Sequence, residues 1–186
     1  MREMLKAQSS YPGTPIYGKI QSLSLSETDK AYIAGFIDGE GSISIKRWKS
    51  KPSHQESWGT HIQITSVERN ILEYISKKAG QGKIIKIKLS NYRGRENQRD
   101  YYKIAISSRR AVILLKTILP YLKIKQRQAE IAIEFQKLIG YDWPKKGVPK
   151  GTTYIPKENL ERRWALWKEC RMLNSRGVEG NTEGGE

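Results

Sequence analysis

The 186-residue chain carries 34 Lys and Arg against 19 Asp and Glu, a formal net charge of +15, with 37% apolar residues. That balance suits one globular domain with an arm rather than a disordered polyelectrolyte, no run approaches the roughly 20 apolar residues of a membrane span, and no signal-peptide core opens the chain. The lone Cys170 excludes a disulfide scaffold, and with only His54 and His61 as histidines there is no zinc finger, which leaves a basic intracellular protein whose partner is a polyanion, nucleic acid first.

Residues 1–25 are rich in Ser, Pro, Gly and Tyr and read as an extended N-terminal arm, in which Tyr11, Tyr17 and Lys19 could lengthen a nucleic-acid contact. The segment SETDKAYIAGFID then pairs a capping Ser at 24 or 26 with acids in a first turn. Its period places Tyr32, Ile33, Phe36 and Ile37 on one apolar face and Ala31, Gly35 and Gly39 on the other. Two alternating segments follow. In GSISIKRWK, Ile43, Ile45 and Arg47 oppose Ser44, Lys46 and Trp48; in GTHIQITS, Ile62 and Ile64 oppose His61, Gln63 and Thr65. Period-two alternation predicts strands buried on one side, joined by a polar loop over 49–58.

A helix is expected over 67–79, with Ile71, Leu72, Ile75 and Ala79 inward and a stop at Gly80. The next strand pair is GKIIKIKL, with Ile85, Ile87 and Leu89 opposite Lys86 and Lys88, and YYKIAIS, with Tyr102, Ile104 and Ile106 opposite Tyr101, Lys103 and Ala105. Helices at about 109–119 and 123–139 hinge at Pro120. A proline-rich loop leads to Pro156, which opens a last helix; Trp143, Trp164 and Trp167 are expected to pack there, with Cys170 as a core thiol. The chain thus divides into an arm (1–25), a core (26–140), a C-terminal loop and helix (141–175) and a disordered tail from 176 onward.

The order α-β-β-α-β-β-α-α-α describes an α+β fold: an antiparallel four-stranded sheet with helices on one face. Ser44, Lys46, Trp48, His61, Gln63, Lys86, Lys88, Tyr101 and Lys103 are expected on the other face, with no acid at the strand positions facing that way. Such a surface suits a DNA groove, Gln63 matching an adenine edge and the lysines guanine or phosphate.

Chemistry concentrates at residues 33–41, Ile-Ala-Gly-Phe-Ile-Asp-Gly-Glu-Gly. The smooth stripe of Ala31, Gly35 and Gly39 lets a second backbone approach closely. Two such helices, packed together, bring two copies of Glu40 side by side. Like charges at that range repel unless a cation lies between them, and hard divalent ions take carboxylate, carbonyl, water and phosphate oxygens. A carboxylate at a helix C-terminus, disfavoured by the dipole, also asks for a cation.

The nine residues resemble the signature of the LAGLIDADG homing endonucleases, five letters being identical and the others keeping their class. The likeness runs through the β-β-α-β-β-α order into LKIKQRQA at 122–129. It implies that Glu40 and the Gly39 carbonyl hold Mg²⁺ or Mn²⁺, and that Asp38 is structural, ending the helix or bonding nearby backbone. It further implies that Lys125 steadies charge at the scissile phosphate. Arg69 lies near another basic position of the family. Ser66 stands where relatives often carry a Gln that positions solvent, and is shorter. With a single motif, the resemblance implies a homodimer joined at Ala31, Gly35 and Gly39, cutting a nearly palindromic double-stranded DNA of about two helical turns and leaving 3′ overhangs. Its setting would be an organelle or a prokaryotic cytoplasm. The alternatives are a maturase that binds intron RNA and a non-catalytic DNA-binding protein on the same fold. Retention of Glu40 and Lys125 counts against the second.

Overall fold

The computed structural model describes residues 23–49, 56–89, 99–139 and 157–175. The expected arm up to residue 22, Trp143 and the tail from 176 lie outside these. The described elements are α1 (Glu27–Glu40), β1 (Gly41–Lys49), β2 (Glu56–Ser66), α2 (Arg69–Ala79), β3 (Ile85–Ile87), β4 (Tyr101–Ser107), α3 (Ser108–Ile118), α4 (Gln126–Ile139) and α5 (Lys157–Asn174). A 3-10 turn at Leu119–Tyr121, with Pro120 in it, separates α3 from α4. The four strands form one antiparallel sheet in the order β1-β2-β4-β3. The fold is therefore the α+β arrangement expected, with a first hairpin that is longer: β1 and β2 run into the 49–58 segment read as loop.

Helix α1 starts at a reciprocal capping box. The Ser26 hydroxyl accepts from the Asp29 amide at 3.1 Å, and the Asp29 carboxylate accepts from the Ser26 amide at 3.3 Å. Asp29 also receives the Lys78 ammonium at 2.5 Å and the Tyr74 hydroxyl, which fasten α1 to α2. Those two donors, Lys78 foremost, hold its carboxyl far below the usual carboxylate range. The buried face of α1 consists of Ile33, Ala34 and Ile37. Tyr32, expected on that face, is instead 50% exposed, and it borders the open side of the helix where Ala31, Gly35 and Gly39 lie.

One core fills the space between sheet and helices. It joins Ile33 and Ile37 of α1 to Ile43, Ile62, Ile64, Ile104 and Ile106 of the sheet and to Leu72, Ile75, Leu114, Leu115 and Ile118 of the helices. A second cluster packs α4 and α5 over the β1–β2 hairpin through Ile45, Trp58, Ile131, Phe135, Leu166 and Cys170. Trp164 and Trp167 pack there as expected, both edge-on to Trp58, and the Arg47 guanidinium lies 4.8 Å from the Trp164 ring centre. Cys170 is buried, and burial raises its thiol above the usual range.

Strand β3 departs from expectation. Ile85 pairs with Lys103, Lys86 with Tyr102 and Ile87 with Tyr101. Directly paired residues share a face. Because Tyr102 packs on the core, Lys86 belongs to the helix side, and Ile85 and Ile87 point to the open face with Lys103 and Tyr101. Ile84 takes the inward position that the alternation assigned to Ile85. Gly82, at φ +127°, turns the chain into this register, and its carbonyl accepts from the Ser76 hydroxyl at 2.6 Å. Lys86 then pairs with Asp100 at 3.1 Å, and Lys88 lies beyond the three-residue strand.

At the α1–β1 junction the Gly41 amide donates to the Ile37 carbonyl, and a Cβ on Gly41 would lie 2.8 Å from that oxygen and 2.9 Å from the Ile37 Cα. The clash is with backbone, so Gly41→Ala should force α1 away from β1 and cost about 1–3 kcal/mol in urea unfolding. A wild-type midpoint in that variant would show that the junction can yield.

Candidate active site and reading face

Asp38 lies in the last turn of α1 and is buried, yet it is not left without partners. Its Oδ2 accepts from the amides of Lys123 (2.7 Å) and Ile124 (3.2 Å), and its Oδ1 from the amide of Lys125 (2.9 Å). These three N–H groups precede α4, whose first intrahelical bond runs from the Ala129 amide to the Lys125 carbonyl. A helix start needs acceptors for its open amides, and here the acceptor comes from another helix. Asp38 is thus structural and bonds nearby backbone, as the motif implies, and the amides it holds lie 85 to 87 residues away along the chain.

The same contact aims Lys125. Its ammonium donates to the main-chain carbonyl of Asp38, at the negative end of α1, where no basic residue of the helix itself stands. Glu40 and Gly39, the next residues of that turn, are exposed. The structure therefore brings together the three positions Gly39, Glu40 and Lys125. Ser66 and Arg69 are engaged otherwise. Ser66 ends β2 opposite Tyr102, and its hydroxyl accepts from the Glu68 amide at 3.0 Å. The Arg69 guanidinium donates to Glu73 at 2.8 Å on the exposed side of α2.

Glu40 and the Gly39 carbonyl are all-oxygen donors, the chemistry a hard divalent ion takes. Among the described residues no cluster of three His, Cys, Asp or Glu side chains exists, so one chain offers only part of an ion's coordination shell. The donors fit such an ion when a second carboxylate and phosphate oxygens complete it.

The open face of the sheet carries Ser44, Lys46 and Trp48 of β1, His61 and Gln63 of β2, and Tyr101 and Lys103 of β4, as expected. Pairing keeps Thr65 there, adds Ser42, Ile85 and Ile87, which the pattern did not single out, and removes Lys86. Alternation alone already placed Thr65 there; the β3 residues gave no such signal. The Lys46 ammonium lies 3.5 Å from His61 Nε2. Burial first, then the charges of Lys46 and Lys103, push His61 down to about 4, so the imidazole is neutral at physiological pH. Burial and the Lys103 ammonium likewise lower Lys46. Trp48 is 49% exposed. No described helix is long and apolar enough to cross a membrane.

Among solved structures, the homing endonuclease I-CvuI in complex with a DNA target aligns with a TM-score of 0.63 and 18% identity, covering 83% of this chain and 87% of that one. The archaeal intron-encoded homing endonuclease I-Vdi141I, complexed with DNA, aligns at 0.59 and 20%, covering 82% and 87%. The LAGLIDADG meganuclease I-AabMI, bound to uncleaved DNA, aligns at 0.50 and 24%, covering 74% of this chain but 43% of its own. At these identities the likeness is one of fold. No curated protein matches the sequence. The sequence profile of the LAGLIDADG endonucleases, however, matches residues 33–140, from the start of the motif through α4. A match over more than half of the length settles kinship: the chain belongs to the LAGLIDADG endonuclease family.

Proposed function

We propose that this protein is a site-specific double-stranded DNA endonuclease of the intron-homing type, active as a homodimer with Mg²⁺ or Mn²⁺. The observation that carries the reading is the Asp38 grip, which sets the Lys125 ammonium against the end of the helix that presents Glu40. Support also comes from relatives of the same fold caught on DNA, I-CvuI with Mg in one structure and Ca in another.

The homodimer follows from the open side of α1. A Cβ built on Gly35 or Gly39 meets nothing within 4 Å, so the fold of one chain does not explain glycine there. Glycine in a helix costs roughly 0.5–1 kcal/mol relative to alanine, and close approach of a second copy offsets that cost. The chain also spans 43% of I-AabMI but 87% of I-CvuI, as one of two equivalent halves would.

In the dimer the two Glu40 carboxylates and Gly39 carbonyls would hold the divalent ion beside the scissile phosphates. A divalent ion held there supplies Lewis-acid polarisation of the phosphoryl oxygen. Lys125 places positive charge where the departing oxygen gains negative charge, and Asp38 keeps it there without itself meeting the substrate. Lys46, Gln63 and Lys103 address base edges and phosphates along the groove. The neutral His61 imidazole accepts from Lys46, or donates to a base, without adding charge.

Incubation with random duplex libraries and Mg²⁺, followed by sequencing of cut ends, should return one recurring, nearly palindromic site. No cut site together with tight binding of structured RNA would establish the maturase instead. Glu40→Gln should lower cutting about a hundredfold or more while leaving duplex binding in Ca²⁺ intact; undiminished cutting would remove Glu40 as ligand. Gly35→Leu should sediment as a folded monomer, and a normal dimer would rule out the α1 interface. In NMR titrations His61 should show a midpoint of about 4 against the ordinary 6.5, raised but still below 6.5 in Lys46→Met because burial is the larger cause. Because the unfolded chain takes up that proton first, the His61 contribution to stability falls as pH drops from 6.5 toward about 4 and is fully retained above 6.5.

A further inference from the structure

The register of β3 leaves two isoleucines where a DNA-reading surface would be expected to carry polar groups. Ile85 is 45% exposed and pairs with Lys103, and the half-buried Ile87 pairs with Tyr101. Their own core has no place for them, since Ile84 takes the inward position. Neither can bond a phosphate or a base amide. Yet they share a face with Lys46 and Lys103, and no acid occupies a described strand position on that face. Its charge draws a polyanion, and the polyanion's apolar feature then has to meet Ile85 and Ile87.

We propose that Ile85 and Ile87 are specificity-determining residues that read the 5-methyl groups of thymines in each half-site, with the Lys103 ammonium on an adjoining base edge or phosphate. The inference rests on the endonuclease reading and deepens it. In the major groove the thymine methyl is the one apolar projection among the four bases. RNA offers none, because uracil lacks the methyl and the A-form major groove is too deep and narrow for side chains to read. A methyl-reading edge therefore fits duplex DNA and not intron RNA. Tyr101 and Ala105 extend the apolar ground on the same strand face, with Lys103 between them.

The test uses the full-length protein in Ca²⁺, where duplex is bound but not cut. Random duplexes are selected for binding, and each thymine of the recovered site is replaced in turn by uracil, which removes only the methyl. At one or more adjacent positions per half-site the substitution should weaken binding about three- to tenfold, the loss expected of one buried methyl. At one of those positions Ile85→Ala should bind thymine and uracil duplexes equally, whereas Ile85→Val should keep part of the preference there. Both variants alter an exposed side chain, and an unchanged unfolding midpoint certifies their fold. A recovered site at which every uracil duplex binds like its thymine parent, or a full preference surviving in Ile85→Ala, overturns the methyl contact while leaving the endonuclease standing. Failure to recover any duplex, with RNA bound instead, overturns both.

Discussion

The buried carboxylate of Asp38 is the contact on which the rest of the molecule depends. A charge inside a fold is costly unless protein dipoles replace the water it loses, and three amides in a row do so here. The grip solves two terminal problems together. It satisfies the open amides before α4, and it holds the end of α1 against them. Lys125 follows because it is the third residue of the gripped turn, and its ammonium then covers the Asp38 carbonyl. On the other side of the same turn, Gly41 leads directly into β1 with no room for a side chain. The position of Glu40 relative to the reading face is thus set by backbone contacts on both sides, although Glu40 itself is exposed.

Charge is sorted by face. On the helix side the acids are matched: Asp29 with Lys78, Glu73 with Arg69, Glu169 with Arg127, Glu134 with Arg162. Most of these pairs are exposed and add little to stability, but they neutralise that surface. The open sheet face has no such matching. Burial and then the Lys103 ammonium lower Lys46, and burial and then both lysines lower His61, so like charge adds to burial on this face. A surface that carries this repulsion in the free protein gains when phosphates arrive, with counterion release from the duplex adding to the gain.

Much of this was legible in the sequence because its local signals agree with one another. The motif running into Gly41 and the alternation of β1, β2 and β4 each admit a single reading, and the acids of the first turn narrow the capping serine to Ser24 or Ser26, of which the structure uses Ser26. Strand β3 did not. In Ile84-Ile85-Lys86-Ile87-Lys88 either register puts an isoleucine inward, and the one adopted goes with the turn at Gly82 and the Lys86–Asp100 pair, neither of which alternation sees. Tyr32 was misassigned for a related reason: one apolar stripe on α1 covers both the core and the border of the open side. The partners of Asp38 were hidden by distance along the chain, since an acceptor 85 residues from its donors leaves no local pattern. Arg47 was correctly placed with Ile43 and Ile45, but the indoles of Trp58, Trp164 and Trp167 around it come from elements remote in sequence.

How two copies would meet is also constrained by what each sheet edge permits. β1 is one edge of the sheet, and α5 covers it: the Asn174 amide donates to the Ile43 carbonyl at 2.8 Å, with Cys170 beside it. β3 is the other edge, only three residues long and bearing Lys86 and Asp100 at its margin. Short, charged or covered edges resist strand addition. Growth of the sheet from one chain into the next through these two edges is therefore disfavoured. The open side of α1 is different, with small residues over backbone and Tyr32 and Phe36 at its margin. A two-fold contact there would also bring the two copies of Glu40 together, so pairing through this surface would complete the proposed site.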